Sequence, residues 1–168
     1  MKPRIDIMKA TREFRDVYRA ILGVEEAIKA GGLEPKLLDL IRIRASQMNG
    51  CAYCLDMHSK DLRAAGESEQ RIYCLEAWRE TPFYSDRERA ALAWCEAVTD
   101  LHSGHVPDEV FNEARQHFTE IELLFLTATV ATINLWNRLS ISMRAVPGEY
   151  QPAHRAKVDG KKAIAQAL

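Results

Sequence analysis

Two cysteines and a histidine at helical spacing are the residues of this chain best suited to chemistry. Cys51 and Cys54 form a Cys-x-x-Cys pair, and His58 follows four residues after the second cysteine. The preceding Asn49 and Gly50 favour a turn, and residues 51–65 favour a helix. Residues three and four positions apart share one face of a helix. The spacing therefore predicts two sulfur atoms and an imidazole ring within reach of one another.

This arrangement predicts a reactive dithiol. A thiol at a helix N-terminus lies at the positive end of the helix dipole, which favours the nucleophilic thiolate. One thiol can attack a substrate oxygen or sulfur, and the other can then resolve the adduct as a disulfide. His58 is suited to accept a proton near neutral pH. The dipole favours Cys51 as the more acidic thiol, whereas the nearness of His58 favours Cys54.

A metal site and buried, inert thiols are the alternatives. A zinc site built on Cys-x-x-Cys usually needs a second pair of ligands elsewhere in the chain. The other cysteines, Cys74 and Cys95, are isolated in helical patterns typical of small core residues. His102 and His105 lie in a loop without an evident third ligand, which is typical of polar surface residues. We therefore predict redox chemistry at the pair and no metal site.

A carboxylate twelve residues before the first cysteine is a further candidate. In one continuous helix Asp39 would lie about 18 Å from Cys51, because each residue adds about 1.5 Å along the axis. If the carboxylate is to act at the dithiol, the chain must break near residues 48–50 and fold back. The alternative is a solvated Asp39 paired with Arg42, three positions further along the same helix.

Hydrophobic periodicity predicts helices, and no strand, along the rest of the chain. The expected helices cover residues 9–30, 35 to about 48, 51–65, 68–79, 85–101, 107–118 and 119–144, after an extended arm over residues 1–8. Residues 85–88 and 119–122 match the capping-box pattern. The chain is therefore predicted to be all-α, a single helical domain of about seven helices over residues 1–146, followed by a C-terminal tail over residues 147–168.

The last predicted helix is apolar on most faces, which is typical of a buried central helix. Glu122, Asn134, Asn137 and Arg138 interrupt it, so no stretch of about 20 apolar residues favours a membrane span. The last three of these residues share one side of the helix. They either support the site or a subunit contact, or form a satisfied polar network in the core.

Composition narrows the class of protein further. The 168 residues carry a formal net charge of −1, and 47% of them are hydrophobic. This balance argues against a nucleic-acid-binding protein, which would show a basic excess. Residues 1–8 lack the apolar region of a secretory signal peptide. We therefore expect a cytoplasmic protein whose cysteines are mostly reduced, so that the Cys-x-x-Cys pair is catalytic rather than a structural disulfide.

The cysteine segment resembles a known family. Residues 44–58, RASQMNGCAYCLDMH, are similar to the core motif of AhpD-like alkylhydroperoxidases in the carboxymuconolactone decarboxylase superfamily. Residues 78–83, 88–92 and 131–139 support the match, which covers roughly residues 15–146. The resemblance implies an AhpD-like helical bundle and a thiol peroxidase that needs no cofactor.

The same resemblance implies roles for individual residues. Cys54 would be the peroxidatic cysteine and Cys51 the resolving one, with His58 and Asp39 relaying protons. The family usually has glutamate where Asp39 stands, and its best-studied branch has histidine where Tyr53 stands, so Tyr53 is a weaker base at that position. The substrate would be a hydroperoxide, a dithiol such as a lipoyl-bearing protein would be the reductant, and the chain would assemble as a trimer or hexamer.

Two other functions stay open at this point. The superfamily also contains decarboxylases and lactone-processing enzymes, although these generally lack the Cys-x-x-Cys pair. A helical module without enzymatic activity could instead use the thiols for redox sensing or metal binding. Replacement of both cysteines by serine separates a peroxidase from a decarboxylase, and metal analysis of the purified protein tests the third reading.

Overall fold

Helices make up the described part of the chain, and no β-strand occurs there. The structure is a computed structural model, in which residues 2–5 and 12–152 are described. The α-helices are α1 (Arg12–Ala30), α2 (Pro35–Asn49), α3 (Ala52–Ala64), α4 (Glu69–Tyr73), α5 (Asp86–Thr99), α6 (Asp108–His117) and α7 (Glu120–Met143). Short 3₁₀ helices follow α4 (Leu75–Glu80) and α5 (Leu101–Ser103). The predicted all-α bundle is therefore confirmed.

Local sequence signals set several helix ends. Ser85 and Glu88 form the capping box of α5, and Thr119 and Glu122 form that of α7, each with both reciprocal hydrogen bonds present. These bonds satisfy backbone N–H groups that have no partner within the helix. Gly50 follows α2 in the left-handed conformation, with φ of 68°. Such a conformation favours glycine and ends the helix.

The centre of the bundle is α2. It packs against α3, α5 and α7, and its Leu40, Ile41 and Ala45 are almost completely buried. Because α3 follows directly after the turn at Gly50, α2 and α3 form a helical hairpin with an extensive contact. The chain break that a role of Asp39 at the dithiol would require is therefore present.

The prediction that the last helix is the buried centre is wrong. One face of α7 is buried through Leu126, Val130 and Ile133. Its other face is open, with Ile121 and Leu124 exposed at 62% and 66%. The reason is that α7 packs against the other helices, chiefly α2 and α5, through one face, so the apolar residues of the opposite face do not meet the core.

The helix predicted over residues 68–79 is also divided. It runs as α4 for one turn and then continues as a 3₁₀ helix. Ala77 departs from helical geometry, with φ of −101° and ψ of 29°. Leu75 and Trp78, three positions apart, are both buried along this 3₁₀ segment.

The two ends of the described chain lie against the bundle. Arg4 of the N-terminal arm donates to the backbone oxygens of Met143 and Ser142 at the end of α7. Residues 147–150 run along α3, where Lys60 donates to the carbonyl of Tyr150. Residues 1, 6–11 and 153–168, which include most of the predicted tail, lie outside the described residues.

No single helix within residues 2–5 and 12–152 is long and apolar enough to cross a membrane. Only α6 and α7 taken together reach that length and hydropathy, and they are bent by 119° relative to each other.

The turn before the cysteines provides a stability test. Gly50→Ala should lower the free energy of unfolding by about 1 kcal/mol, because a Cβ at positive φ is strained although nothing lies within 4 Å of it. Gly23→Ala, inside α1 and equally open, should raise that free energy by about 0.5 kcal/mol. Urea unfolding followed by circular dichroism measures both. Stabilisation by Gly50→Ala would contradict the left-handed turn.

Candidate active site

The turn between α2 and α3 places the first cysteine. Gly50 reverses the chain, and its N–H donates to the carbonyl of Gln47, while the N–H of Cys51 donates to the carbonyl of Ser46. Cys51 is the N-cap residue of α3 and has an extended backbone. Its side chain thus lies at the helix N-terminus. The sequence predicts it in the first helical turn, and the structure has it one position earlier.

The two predicted redox cysteines lie next to each other, inside the protein. Cys51 and Cys54 are both free thiols, and they are only 1% and 2% exposed. Their side chains are within hydrogen-bonding reach of each other. The two thiols are therefore close neighbours in the interior, as the spacing predicts.

The electrostatics of the pair favour a thiolate on Cys51. A hydrogen bond from the Cys54 thiol is the main influence that lowers the pKa of Cys51 to about 7, against the opposing effect of burial. The backbone N–H of Cys54 adds to this effect although it makes no regular capping bond. The pKa of Cys54 is raised, first by its hydrogen bond with Cys51 and then by burial. One proton is thus shared by two sulfurs.

His58 is a neutral imidazole in this environment. It is buried, and desolvation, followed by the positive charge of Arg42, lowers its pKa to about 3. Its Nδ1 atom has no hydrogen-bond partner within the described part of the chain. A neutral ring with a free nitrogen can accept a proton, but it supplies no positive charge to a thiolate.

Asp39 belongs to a buried charged network. It accepts a hydrogen bond of 3.1 Å from Arg42, whose other nitrogen donates to Glu25 of α1 at 2.7 Å. Glu25 also accepts a hydrogen bond from the indole of Trp136 in α7. The pairing of Asp39 with Arg42 is therefore present, but in the interior, so the expectation of a solvated pair is wrong. The helices around α2 have removed it from water.

Glu25 was not predicted from the sequence. Tyr18, Ile21 and Ile28 form the apolar stripe of α1 together with this position, since the spacing is three, four and three residues. A carboxylate within an apolar stripe indicates a buried charge, because it needs a partner when the helix packs against its neighbours. This pattern could have identified Glu25 from the sequence.

Tyr53 is half-buried beside α1. Burial is the main cause of its raised pKa, and Tyr18 is the next. The ring of Tyr18 in turn contacts Trp136 edge-on, with centroids 5.4 Å apart. Tyr53 is therefore a neutral phenol at neutral pH, which agrees with its description as a weak base.

Two polar side chains of α7 complete the surroundings of the dithiol. Asn137 and Ser140 are within hydrogen-bonding reach of both sulfurs. Asn137 also belongs to a buried network with Asn49 and Ser46, so it serves the site and the core at once. Ser140 was not identified from the sequence, although its position one turn after Asn137 would have been a signal.

The remaining histidines and cysteines lie elsewhere. Within residues 2–5 and 12–152 no group of three or more metal-ligating side chains is close enough to hold an ion. His102 and His105 are exposed, as predicted for surface residues. Cys95 is a core residue as predicted, and burial raises its pKa to about 12. Cys74 is half-buried at the end of α4.

The low pKa of His58 leads to a prediction about stability and pH. Its pKa rises from about 3 in the folded chain to about 6.5 on unfolding, so acid favours the unfolded state. Between pH 6.5 and pH 4.5 wild type should lose about 2 kcal/mol of unfolding free energy more than His58→Gln does, since glutamine does not titrate. Urea unfolding of both proteins measures this difference. Parallel curves for the two proteins would show that the buried ring is not neutral.

The comparisons with known proteins agree with this architecture. The carboxymuconolactone decarboxylase family model matches residues 15–97. The uncharacterized protein YdfG of Bacillus subtilis is 46% identical over 125 residues, which span 74% of this chain and 85% of YdfG. The crystal structure of ATU0492 from Agrobacterium tumefaciens, a protein of unknown function and a candidate antioxidant defence protein AhpD, superposes with a TM-score of 0.83. It is 38% identical and covers 89% of this chain and all of its own.

A more distant structure shows the same fold. The debrominase Bmp8 is 23% identical, with a TM-score of 0.74 over 82% of this chain and 74% of its own. The residues that the family model matches include the helices that carry the dithiol. The chain is therefore a member of the carboxymuconolactone decarboxylase family with the AhpD-like helical fold.

Proposed function

We propose that this protein is a thiol-dependent peroxidase that reduces hydroperoxides through a cycle between dithiol and disulfide. The observation that carries the proposal is the reduced Cys51 and Cys54 pair at the start of α3, with one thiol pKa lowered to about 7. A dithiol that loses one proton near neutral pH has a thiolate that can react with a peroxide.

The reaction uses the two sulfurs in turn. The Cys54 thiolate attacks the terminal oxygen of the hydroperoxide, the O–O bond breaks, and the leaving alkoxide takes a proton and departs as alcohol. Cys54 is left as a sulfenic acid. The Cys51 thiolate then attacks that sulfur, and the hydroxyl leaves as water when it gains a proton. The pair has given two electrons to the peroxide and ends as a disulfide.

The attacking role of Cys54 is compatible with a resting thiolate on Cys51, because a proton can pass between the two thiols. The resting thiolate favours Cys51, whereas the resemblance gives the attack to Cys54. Transfer of the Cys54 proton across their hydrogen bond to Cys51 moves the charge to the attacking sulfur. Cys51 must then lose that proton before it resolves the sulfenic acid, and His58 relays it to the leaving alkoxide, which is a far stronger base than a ring whose pKa is about 3.

The remaining site residues have supporting roles in the proposal. Asp39 acts through a water molecule and helps to deliver the proton that the leaving alkoxide takes up. The hydrogen bond from Arg42 holds the Asp39 carboxylate in place. Tyr53 donates a hydrogen bond to an oxygen of the peroxide and does not accept a proton, since its phenol stays neutral. A dithiol reductant restores the pair, and a lipoyl-bearing protein is the donor that the resemblance implies. The free thiols suit the reducing cytoplasm, where we place the reaction.

Single cysteine variants test the assignment of roles. With peroxide, Cys51→Ser should accumulate a stable sulfenic acid on Cys54, because no resolving thiol is present. Cys54→Ser should form none. Dimedone trapping and mass spectrometry of the modified peptide measure both. An adduct in Cys54→Ser and none in Cys51→Ser would reverse the roles.

The double serine variant tests the reaction class. It should lose peroxide consumption with dithiothreitol completely, whereas a decarboxylase of the family would keep its activity. Cys74→Ser is the matched control, since Cys74 lies outside the dithiol and should keep the wild-type rate. A double variant that still consumes peroxide would contradict the proposal.

We further propose that the open face of α7 is covered by a second copy of the chain in a homo-oligomer, a trimer or hexamer. Leu124 and Leu135 are 66% and 40% exposed, and they lie on the same face as a shallow groove further along α7. The groove is lined by Ala131, Asn134, Leu135, Arg138, Leu139, Ser142 and Met143. An exposed apolar stripe along a long helix marks an interaction surface.

Charge on this stripe should disrupt the assembly. Leu124→Glu combined with Leu135→Glu should convert the oligomer to monomers, because a buried unpaired carboxylate is costly at an interface. Sedimentation velocity of wild type and variant measures the change. Tyr73→Glu, at a position 72% exposed on α4, is the control and should keep the wild-type assembly. A monomeric wild type would overturn the proposal.

A further inference from the structure

The amide of Asn137 has a fixed orientation beside the dithiol. Its side chain is fully buried, and its Oδ1 atom accepts a hydrogen bond of 2.8 Å from Nδ2 of Asn49. Its Nδ2 atom donates to the hydroxyl of Ser46 at 3.0 Å. Because an amide nitrogen carries two hydrogens, one N–H remains after that bond, and the sulfurs of the dithiol are within its reach.

The network that holds this amide extends across three helices. Asn49 donates to Asn134 as well, at 2.9 Å, and Asn134 donates to Thr99 of α5 at 3.1 Å. Asn49 is the last residue of α2 and directly precedes the turn that carries Cys51. The amide and the first sulfur are therefore positioned by the same segment of chain, so neither shifts without the other.

A second donor lies one helical turn further along α7. Ser140 is only 7% exposed, and its hydroxyl is within hydrogen-bonding reach of both Cys51 and Cys54. A serine hydroxyl on a helix can bond back to a carbonyl of the preceding turn, as Thr129 and Thr132 do here. No such back bond occurs at Ser140 in the described part of the chain, and its hydroxyl influences both thiols.

We propose that Asn137 and Ser140 are further catalytic residues, which donate hydrogen bonds to whichever sulfur of the dithiol carries the negative charge. The inference deepens the proposed function, because it concerns the same pair of thiols. It also states a property of those thiols that can be measured without any peroxide.

The need for such donors follows from the burial of the site. A charge that is almost fully removed from water is costly unless hydrogen bonds replace the lost solvation. The imidazole of His58 is neutral and cannot supply a positive charge. Hydrogen bonds to an ionised acceptor are about twice as strong as those between neutral groups. Two fixed donors from α7 are thus suited to hold the thiolate.

The position of Asn137 and Ser140 also suits a negative charge that passes from one sulfur to the other. Asn137 and Ser140 each reach both sulfurs, so the charge stays solvated when a proton passes from Cys54 to Cys51. A donor that served only one sulfur would hold the charge there and oppose the transfer. The pair of donors therefore makes the two forms of the dithiol closer in energy.

Titration of the thiolate tests this inference. The ultraviolet absorbance of thiolate is followed against pH for each variant, with the curve of the matching protein that also carries Cys51→Ser and Cys54→Ser subtracted. Ser140→Ala and Asn137→Leu should each move the midpoint of the dithiol upward by about one pH unit, which is about tenfold less thiolate below the midpoint. Ser140→Thr keeps the hydroxyl and should restore the wild-type midpoint.

Controls separate this effect from general disturbance of α7. Thr132→Val removes a hydroxyl of the same helix that is bonded to the carbonyl of Ala128, and it should leave the midpoint unchanged. Thermal unfolding shows which variants are folded; if Asn137→Leu does not fold, the set of Ser140 variants decides. A folded Ser140→Ala protein with the wild-type midpoint would overturn the inference.

The peroxide assay is independent of this titration. Shifted midpoints in a protein that consumes no peroxide would support the donors and contradict the peroxidase. Unshifted midpoints in a protein that does consume peroxide would contradict the donors alone.

Discussion

The burial of a negative sulfur between three helices is the constraint on which the rest of the site depends. Cys51 and Cys54 are almost inaccessible to water, yet one of them has a pKa near neutrality. Without water, the charge must be solvated by the protein itself. The start of α3 and the polar face of α7 do this, since both aim hydrogen-bond donors at the sulfurs. The reversal of the chain at Gly50 makes it possible, because it brings the start of α3 against α7.

A second buried group of charges acts on the imidazole of His58. Arg42 is held between the carboxylates of Asp39 and Glu25, and its positive charge reaches His58. That charge, added to burial, keeps the ring neutral. A neutral ring has a lone pair open to a proton, but its lowered pKa makes it a weak base, so it suits the relay of a proton to a stronger base. Glu25 and Asp39 in turn balance the guanidinium, which could not be buried alone.

The helix α7 has two distinct faces. One face carries the amides and the hydroxyl that meet the dithiol, together with the apolar side chains of the core. The other face is apolar and exposed, and it carries the groove around Leu135. Asn134 belongs to both, because it lines the groove and accepts the hydrogen bond from Asn49. The surface proposed for assembly is thus connected through Asn134 to the hydrogen-bond network that positions the turn at Gly50.

The sequence by itself determined what depends on neighbours within about one helical turn. The spacing of Cys51, Cys54 and His58 predicts a shared face, and Asn49 with Gly50 predicts the turn before them. Capping residues predict where α5 and α7 begin. These interactions are local, so a single sequence contains both partners close together. The family resemblance added the candidate roles, which the fold itself does not reveal.

Only the tertiary structure decided which distant side chains meet. Asn49 and Asn137 are 88 residues apart in the chain, and Trp136 is 111 residues from Glu25. Apolar spacing predicts that a helix packs, but it does not say against which neighbour or at what height. That choice decided that α2 rather than α7 is central, that Asp39 is buried with Arg42, and that Ser140 reaches the sulfurs. It also decided the pKa of His58, because desolvation comes from all the surrounding helices at once.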